Sequence, residues 1–178
     1  MRDTLQTLRR FLPVFALLLA IGGAIMACGS SSDNTGSITT DASTSSSSAK
    51  HFKVGDQVKI GDTWVVTVNS AKLHGATEFD QPKSGDTYLV IDASFKNVSS
   101  EEQELSSLLQ MSLKDATGQK YTETIATFAK STPDGKVAAG DILRGQLAFE
   151  VPKAQKSFTF AFESDIASSG QTIWDIKV

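Results

Sequence analysis

The stretch Tyr88-Leu89-Val90-Ile91-Asp92-Ala93-Ser94-Phe95-Lys96 decides the fold class of this chain. Apolar residues occupy every second position from Leu89 to Phe95, and the intervening positions are mostly polar. A period of two puts alternate side chains on opposite faces of a β-strand, whereas a helix would need a period near 3.6. The stretch therefore predicts a long strand with one face in the core, and with Tyr88 and Asp92 on the opposite face.

The same alternation recurs along most of the remaining chain, which is typical of an all-β protein. The residues predicted to face the core are Trp64, Val66 and Val68; Leu109, Met111 and Leu113; Leu147, Phe149 and Val151; Phe158, Phe160 and Phe162; and Trp174, Ile176 and Val178.

Turn signals separate these strands. Asp115-Ala116-Thr117-Gly118 predicts a hairpin between Leu113 and Tyr121, in which Gly118 takes a positive φ. Gly-Asp pairs mark four further turns. One helix of one or two turns is expected where Ser100–Gln103 could form a capping box before Leu105, Leu108 and Leu109.

These elements fit one domain over residues 51–178, and we predict an immunoglobulin-like antiparallel two-sheet sandwich of seven or eight strands. The domain carries thirteen Lys and Arg against seventeen Asp and Glu, a net charge of −4. It has no basic patch, so nucleic acid is not an expected partner.

The first 27 residues have the order of a secretory signal peptide. Arg2, Arg9 and Arg10 precede an uncharged apolar run from Phe11 to Ala27, which ends in small residues. The run is short for a membrane-spanning helix, which needs about 20 apolar residues. An uncleaved anchor is the alternative interpretation.

The segment Ile25-Met26-Ala27-Cys28 resembles a lipobox, the recognition site of lipoprotein signal peptidase. The resemblance implies cleavage after Ala27 and a diacylglyceryl group on Cys28, the only cysteine in the chain. Two acyl chains hold a protein stably on a membrane. We therefore expect an extracytoplasmic protein, lipid-anchored to the cell membrane or the outer membrane through Cys28.

Residues 28–50 are predicted to form a disordered tether between the lipid and the domain. Nine serines and four threonines lie between Gly29 and Lys50, and Ile38 is the only large aliphatic residue there. Such a segment buries too little apolar surface to offset its chain entropy. O-glycosylation of the Ser/Thr tract is a second interpretation.

The domain resembles the telokin-like, immunoprotective-extracellular-type domain of bacterial lipoproteins, a family of unknown function. The resemblance implies an immunoglobulin-like β-sandwich and supplies no catalytic or ligand residues. The residues that carry it are Phe52–Asp56, Trp64–Ser70, Gly85–Asp92, Phe95–Asn97, Leu113–Asp115 with Gly118 and Tyr121, and Gly145 with Phe149–Pro152.

We find no sequence motif for catalysis. The chain has no nucleophile elbow, Walker motif or dinucleotide-binding glycine pattern, and its one cysteine is assigned to lipid. We therefore predict a protein that is not an enzyme and that needs no cofactor. An enzyme whose active site carries none of these motifs is kept as a further hypothesis.

Two binding hypotheses remain open. The first is an interaction module with a protein or glycan partner in the envelope. Its surface would be sought in the long loops Leu73–Gly85 and Ile125–Asp141, because long loops often carry function. The second is a metal- or small-ligand-binding lipoprotein that uses His74, Glu78 and Asp80, a weak donor set for zinc. His51 is expected to be solvated, and Tyr88 and Tyr121 to lie at edges or on an exposed face.

Overall fold

The structure is a computed structural model that describes residues 50–165 and 170–178. The predicted signal peptide, Cys28 and all of the tether except Lys50 lie outside these residues. The described part contains twelve strands and one helix. They are β1 (His51–Lys53), β2 (Gln57–Ile60), β3 (Trp64–His74), β4 (Asp86–Asn97), β5 (Gln103–Leu105), α1 (Ser107–Gln110), β6 (Met111–Asp115), β7 (Lys120–Tyr121), β8 (Glu123–Thr124), β9 (Gly135–Val137), β10 (Ile142–Pro152), β11 (Ser157–Phe162) and β12 (Thr172–Lys177).

The strands form two five-stranded sheets. Sheet A has the order β1-β12-β11-β6-β7, sheet B has the order β2-β3-β4-β10-β8, and β5 and β9 form a separate two-stranded ribbon. The predicted two-sheet sandwich is confirmed. The predicted count of seven or eight strands was too low, because β7 and β8 have only two residues each and are too short to show an alternation. One pair also departs from the antiparallel prediction, since β1 runs parallel to β12.

The core between the sheets consists of the alternating apolar residues. Those predicted on β3, β4, β10 and β11 are all buried. Aromatic rings fill much of this core: Trp64 meets Phe162 edge to face at 6.3 Å, and Phe95 lies 5.2 Å from the same ring. Truncating a buried aromatic residue to alanine typically costs about 3–5 kcal/mol. The sequence pattern thus identified the residues that stabilise the sandwich.

Two predicted positions were wrong. Leu109, placed in the core, is 65% exposed, because the chain turns through α1 before β6 begins at Met111. Tyr88, placed at an edge or on an exposed face, is buried, because Phe128 packs against it from outside the sheet at 5.3 Å.

The expected helix forms, but it lies beyond the predicted capping box. Gln103 belongs to β5, where it pairs with Val137, and Leu105 is buried in the core. Because β5 pairs with β9, these residues are extended and do not form the first helical turn that the predicted capping box would have started. The helix α1 has a single turn, and its N-cap residue Ser106 makes no side-chain capping bond.

The hairpin between β6 and β7 is confirmed. Leu113 pairs with Tyr121, and Gly118 has a φ of +86°. The carboxylate of Asp115 accepts hydrogen bonds from the backbone N–H of Thr117 at 2.8 Å and from the hydroxyl of Tyr121 at 2.8 Å. Asp115 thus joins the turn to the strand that follows it.

Candidate functional site

The outer face of sheet B, which points away from the core, carries a polar cluster centred on Asp92. Alternation along β4 directs Asp92 outward, where it lies opposite Ser70 of β3 and Gln146 of β10. The residue is nevertheless buried, with only 5% of its surface exposed. A carboxylate so covered must be hydrogen-bonded if it is to stay charged.

Three side chains donate hydrogen bonds to the carboxylate of Asp92. Its Oδ1 atom accepts from Asn69 Nδ2 and from Arg144 Nε, both at 2.8 Å, and its Oδ2 atom accepts from Gln146 Nε2 at 3.1 Å. Burial alone raises the pKa of Asp92, but the hydrogen bonds from Arg144, Gln146 and Asn69 outweigh it and hold the pKa below its usual value. The cluster therefore fixes Arg144 and Gln146 in place on the outer face.

A segment that we call the strap, residues 126–133, crosses the β10 edge of sheet B. The backbone N–H of Lys130 donates to Gln146 Oε1 at 2.9 Å, and the N–H of Gln146 donates to the carbonyl of Ser131 at 3.1 Å. A Cβ atom on Gly145 would lie 2.4 Å from the backbone nitrogen of Pro133. The absence of a side chain at Gly145 is what lets the strap approach this strand.

The strap is joined to the other long loop through Asp80. The carboxylate of Asp80 accepts hydrogen bonds from the backbone N–H of Thr127 at 3.0 and 3.1 Å and from its hydroxyl at 2.5 Å. The bonds from Thr127 lower the pKa of Asp80, and those from Thr77 and Phe128 add to this effect. The two loops that the sequence singled out as a candidate surface thus form one connected structure.

Aromatic contacts add a second link between the strap and the sheet. The Phe128 ring stacks on the imidazole of His74, with 3.8 Å between ring centroids and 8° between ring planes. The Nδ1 atom of His74 also lies 2.9 Å from the carbonyl oxygen of Gly75. Because a carbonyl only accepts hydrogen bonds, Nδ1 carries the proton in this arrangement.

The three residues considered for a metal site have separate surroundings. His74 stacks on Phe128, Asp80 binds Thr127, and Glu78 is exposed between them in the loop. Within residues 50–165 and 170–178, no group of three or more His, Cys, Asp or Glu side chains could hold a metal ion. His51, expected to be solvated, is exposed and contacts Asp175 Oδ1 through Nδ1 at 2.7 Å.

The larger of two depressions beside the strap has a volume of about 600 Å³. Leu108 and Ile125 line it and are 75% and 97% exposed, so they form its rim. Single exposed apolar residues are ordinary, but two of them on one concave surface are typical of an interaction site. Leu108 was predicted only as part of a short helix, and no local pattern marked it as a binding residue.

Two carboxylates, Glu123 and Asp134, lie in the same depression and share contacts with Ser107. The N–H of Ser107 donates to Asp134 Oδ1 at 2.6 Å, and its hydroxyl donates to Oδ2 at 3.2 Å. Burial raises the pKa of Glu123, and the charge of Asp134 raises it further. For Asp134, burial is outweighed by hydrogen bonds from Thr132 and Ser107, and the pKa is lowered. The depression is therefore acidic beneath an apolar rim.

Comparison with known protein families identifies the domain. Residues 52–173 match the model of a domain of unknown function, DUF4352. The chain belongs to the DUF4352 family. The match covers sheet B, the strap, both depressions and sheet A as far as the start of β12. No curated protein sequence matches the chain significantly.

Solved structures similar to the DUF4352 domain share its fold at low sequence identity. The yjhA protein of Bacillus subtilis has a TM-score of 0.56 and 18% identity over 68% of this chain and 97% of its own. The secreted protein MPT63 of Mycobacterium tuberculosis has a TM-score of 0.54 and 15% identity over 75% of this chain and 100% of its own.

A third similar structure is that of ycdA from Bacillus subtilis, which is described as a lipoprotein by inference. It has a TM-score of 0.57 and 14% identity over 71% of this chain, and the match spans 39% of the ycdA chain. At these identities the likeness shows the fold alone. These neighbours include an inferred lipoprotein and a secreted protein. No helix in the part of the chain that the structure describes is long and apolar enough to span a membrane.

Proposed function

We propose that this protein is a lipid-anchored, extracytoplasmic binding module, and that its partner contacts the larger depression beside the strap. The anchor would be the lipid on Cys28, and residues 28–50 would carry the domain away from the membrane surface. The telokin-like family that the sequence resembles contains many proteins of this layout. The proposal assigns no catalysis, no cofactor and no nucleic acid partner.

The observation that carries the proposal is the apolar rim of the larger depression beside two carboxylates, the half-buried Glu123 and the exposed Asp134. Leu108 and Ile125 expose large aliphatic side chains that nothing in the sandwich itself requires there. Interfaces are commonly built from an apolar anchor inside a polar surround. A protein segment with apolar residues beside a lysine or arginine would match both the rim and the carboxylates of Glu123 and Asp134.

The strap beside the depression is held in place by hydrogen bonds, and this further supports the proposal. Asp80 and Gln146 fix the strap by hydrogen bonds, so the rim residue Ile125 lies next to a structured segment. A preorganised surface loses little entropy when it binds.

The test is cross-linking of the full chain on intact cells, followed by recovery of the protein with its adducts. Leu108→Ser and Ile125→Ser should each reduce a specific adduct severalfold, because both remove apolar area from the rim. Ile142→Ser is the matched control, since Ile142 is 62% exposed but does not line the depression. An adduct that survives both rim substitutions, or one found to be a glycan, would argue against the proposed protein partner.

A further inference from the structure

A second depression, of about 380 Å³, lies on the outer face of sheet B, on the β3 side of the strap. Lys72, His74 and Arg144 line it, together with the apolar side chains of Val90 and Phe128. Its volume is within the range of small-ligand sites. Its lining includes three basic residues and one acidic residue, Asp92, whereas the domain as a whole carries more acidic than basic residues.

Strand register explains why the basic side chains meet here. Lys72 lies opposite Val90 on β4, two pairs along from Ser70 and Asp92. Arg144 lies opposite Ser94 on the other side of β4. All of these residues belong to the outward-facing set, and Asp92 lies midway between Val90 and Ser94. Lys72 and Arg144 thus flank Asp92 from opposite sides of β4.

The charges in this depression are only partly balanced. Arg144 is 60% exposed and uses Nε to bind Asp92, so its two terminal nitrogens make no other bond among the described residues. Lys72 forms no ion pair within residues 50–165 and 170–178. His74 donates from Nδ1 to a carbonyl, so its Nε2 is an acceptor, and the charged hydrogen-bond donors of the site are Lys72 and Arg144.

We propose that this depression binds an oxyanion, the carboxylate or phosphate group of a small ligand. Lys72 and the terminal nitrogens of Arg144 supply charge-assisted hydrogen bonds to the oxyanion. Asp92 holds the Arg144 guanidinium in place, because the three hydrogen bonds that it accepts leave it fixed and charged. Val90 and Phe128 offer apolar surface to the rest of the ligand.

This site is separate from the partner surface proposed above. It shares Gln146 with the larger depression, but neither Leu108 nor Ile125 lines it. A protein that lost its partner at the larger depression could still bind the oxyanion here. Each of the two proposals can therefore be tested and rejected without affecting the other.

The test uses the only two histidines of the chain as internal probes. The Hε1 resonances of His74 and His51 are followed by NMR in the full chain, purified in detergent, at fixed pH and ionic strength. Inorganic phosphate is titrated in one arm and succinate in the other, with chloride as the compensating anion. The shift of the His74 resonance should saturate in at least one arm, and His51, which lies in β1 of sheet A, should show no saturating shift.

Lys72→Gln should weaken the binding by roughly five- to tenfold, because it removes a full charge from the site. Lys96→Gln is the matched control: Lys96 lies on the outer face of the same strand as Val90 but does not line the depression, and its loss should change the affinity less than about twofold. The arm that saturates identifies the oxyanion as phosphate, carboxylate or either. The proposal is overturned if neither arm saturates, if His51 follows His74, or if Lys96→Gln weakens binding as much as Lys72→Gln.

Discussion

Asp80 and Thr127 lie 47 residues apart, and three hydrogen bonds from the threonine to the aspartate carboxylate join the two long loops of the domain. An aspartate in a turn usually accepts hydrogen bonds from nearby backbone, and Asp80 does accept a local bond, from the hydroxyl of Thr77 at 3.2 Å. Here the carboxylate also fixes the strap that separates the two depressions on sheet B.

Asp80→Asn should loosen the strap without unfolding the sandwich. The amide cannot accept all the bonds that the carboxylate accepts, so backbone amides around Thr127 should exchange with solvent several-fold faster. Hydrogen exchange measured by mass spectrometry resolves this effect. Amides of β4 and β11 should keep their protection, and Asp62→Asn, at an exposed aspartate in the turn between β2 and β3, should change neither region.

Acid should reproduce the effect of Asp80→Asn. The pKa of Asp80 is lowered in the folded protein, so its contribution to the free energy of unfolding is complete above its ordinary value of 3.8. The contribution is lost as the pH falls from there through the lowered pKa. If the protection of amides near Thr127, corrected for the intrinsic pH dependence of exchange, did not fall across this window, the role given to Asp80 would be contradicted.

Gly145→Ala should destabilise the domain by about 1–3 kcal/mol, the usual cost of overpacking. The added methyl group would meet the backbone of Ser131 and Pro133 at less than 3 Å. Gly75→Ala is the matched control, because nothing lies within 4 Å of its added methyl group and its φ is not positive. Urea unfolding of both variants measures the difference, and equal stability of the two would show that the strap does not need the glycine.

Tyr121 should ionise only at strongly alkaline pH. Burial raises its pKa to about 12, and the hydrogen bond and charge of Asp115 contribute to the shift. Absorbance near 295 nm follows tyrosinate formation, and at pH 11 only roughly a tenth of Tyr121 should be ionised. Asp115→Asn should move this titration toward lower pH and leave that of Tyr88 in place. The chain has no other tyrosine, so the two signals account for the whole change.

Cys28→Ala should release the protein from the membrane fraction while its β-sandwich stays folded. The lipid is proposed to be the only anchor, and Cys28 is the only residue that can carry it. Cell fractionation with immunoblotting measures the release, and circular dichroism of the released protein checks the fold. Retention of the variant in the membrane fraction would favour the uncleaved apolar segment as the anchor.

The sequence predicted the sandwich well because its evidence is local. Period-two alternation at Leu89–Phe95 or Phe158–Phe162 depends on residues a few positions apart, and each set is buried as expected. The candidate surface was predicted only as two long loops. Their connection through Asp80 and Thr127 depends on contacts far apart in the chain, which no local pattern records.

Two individual errors have the same origin. Tyr88 follows the polar, outward register of β4, yet it is buried because Phe128 of the strap covers it. Asp92 was correctly placed on the outward face, but nothing in the local pattern showed that Arg144 and Gln146 of β10 would enclose it. Side chains on the outer face of sheet B are thus governed by the strap, whose path the sequence does not reveal.

The most direct test of the account is photo-cross-linking in living cells from two positions of the full chain. A photoreactive amino acid replaces Ile125, on the rim of the larger depression, or Ile142, which is exposed outside it. We predict a discrete protein adduct from position 125, its weakening when Asp80→Asn frees the strap, and no such adduct from position 142. The same adducts from both positions, or none from position 125, would contradict the assignment of this depression as the binding surface.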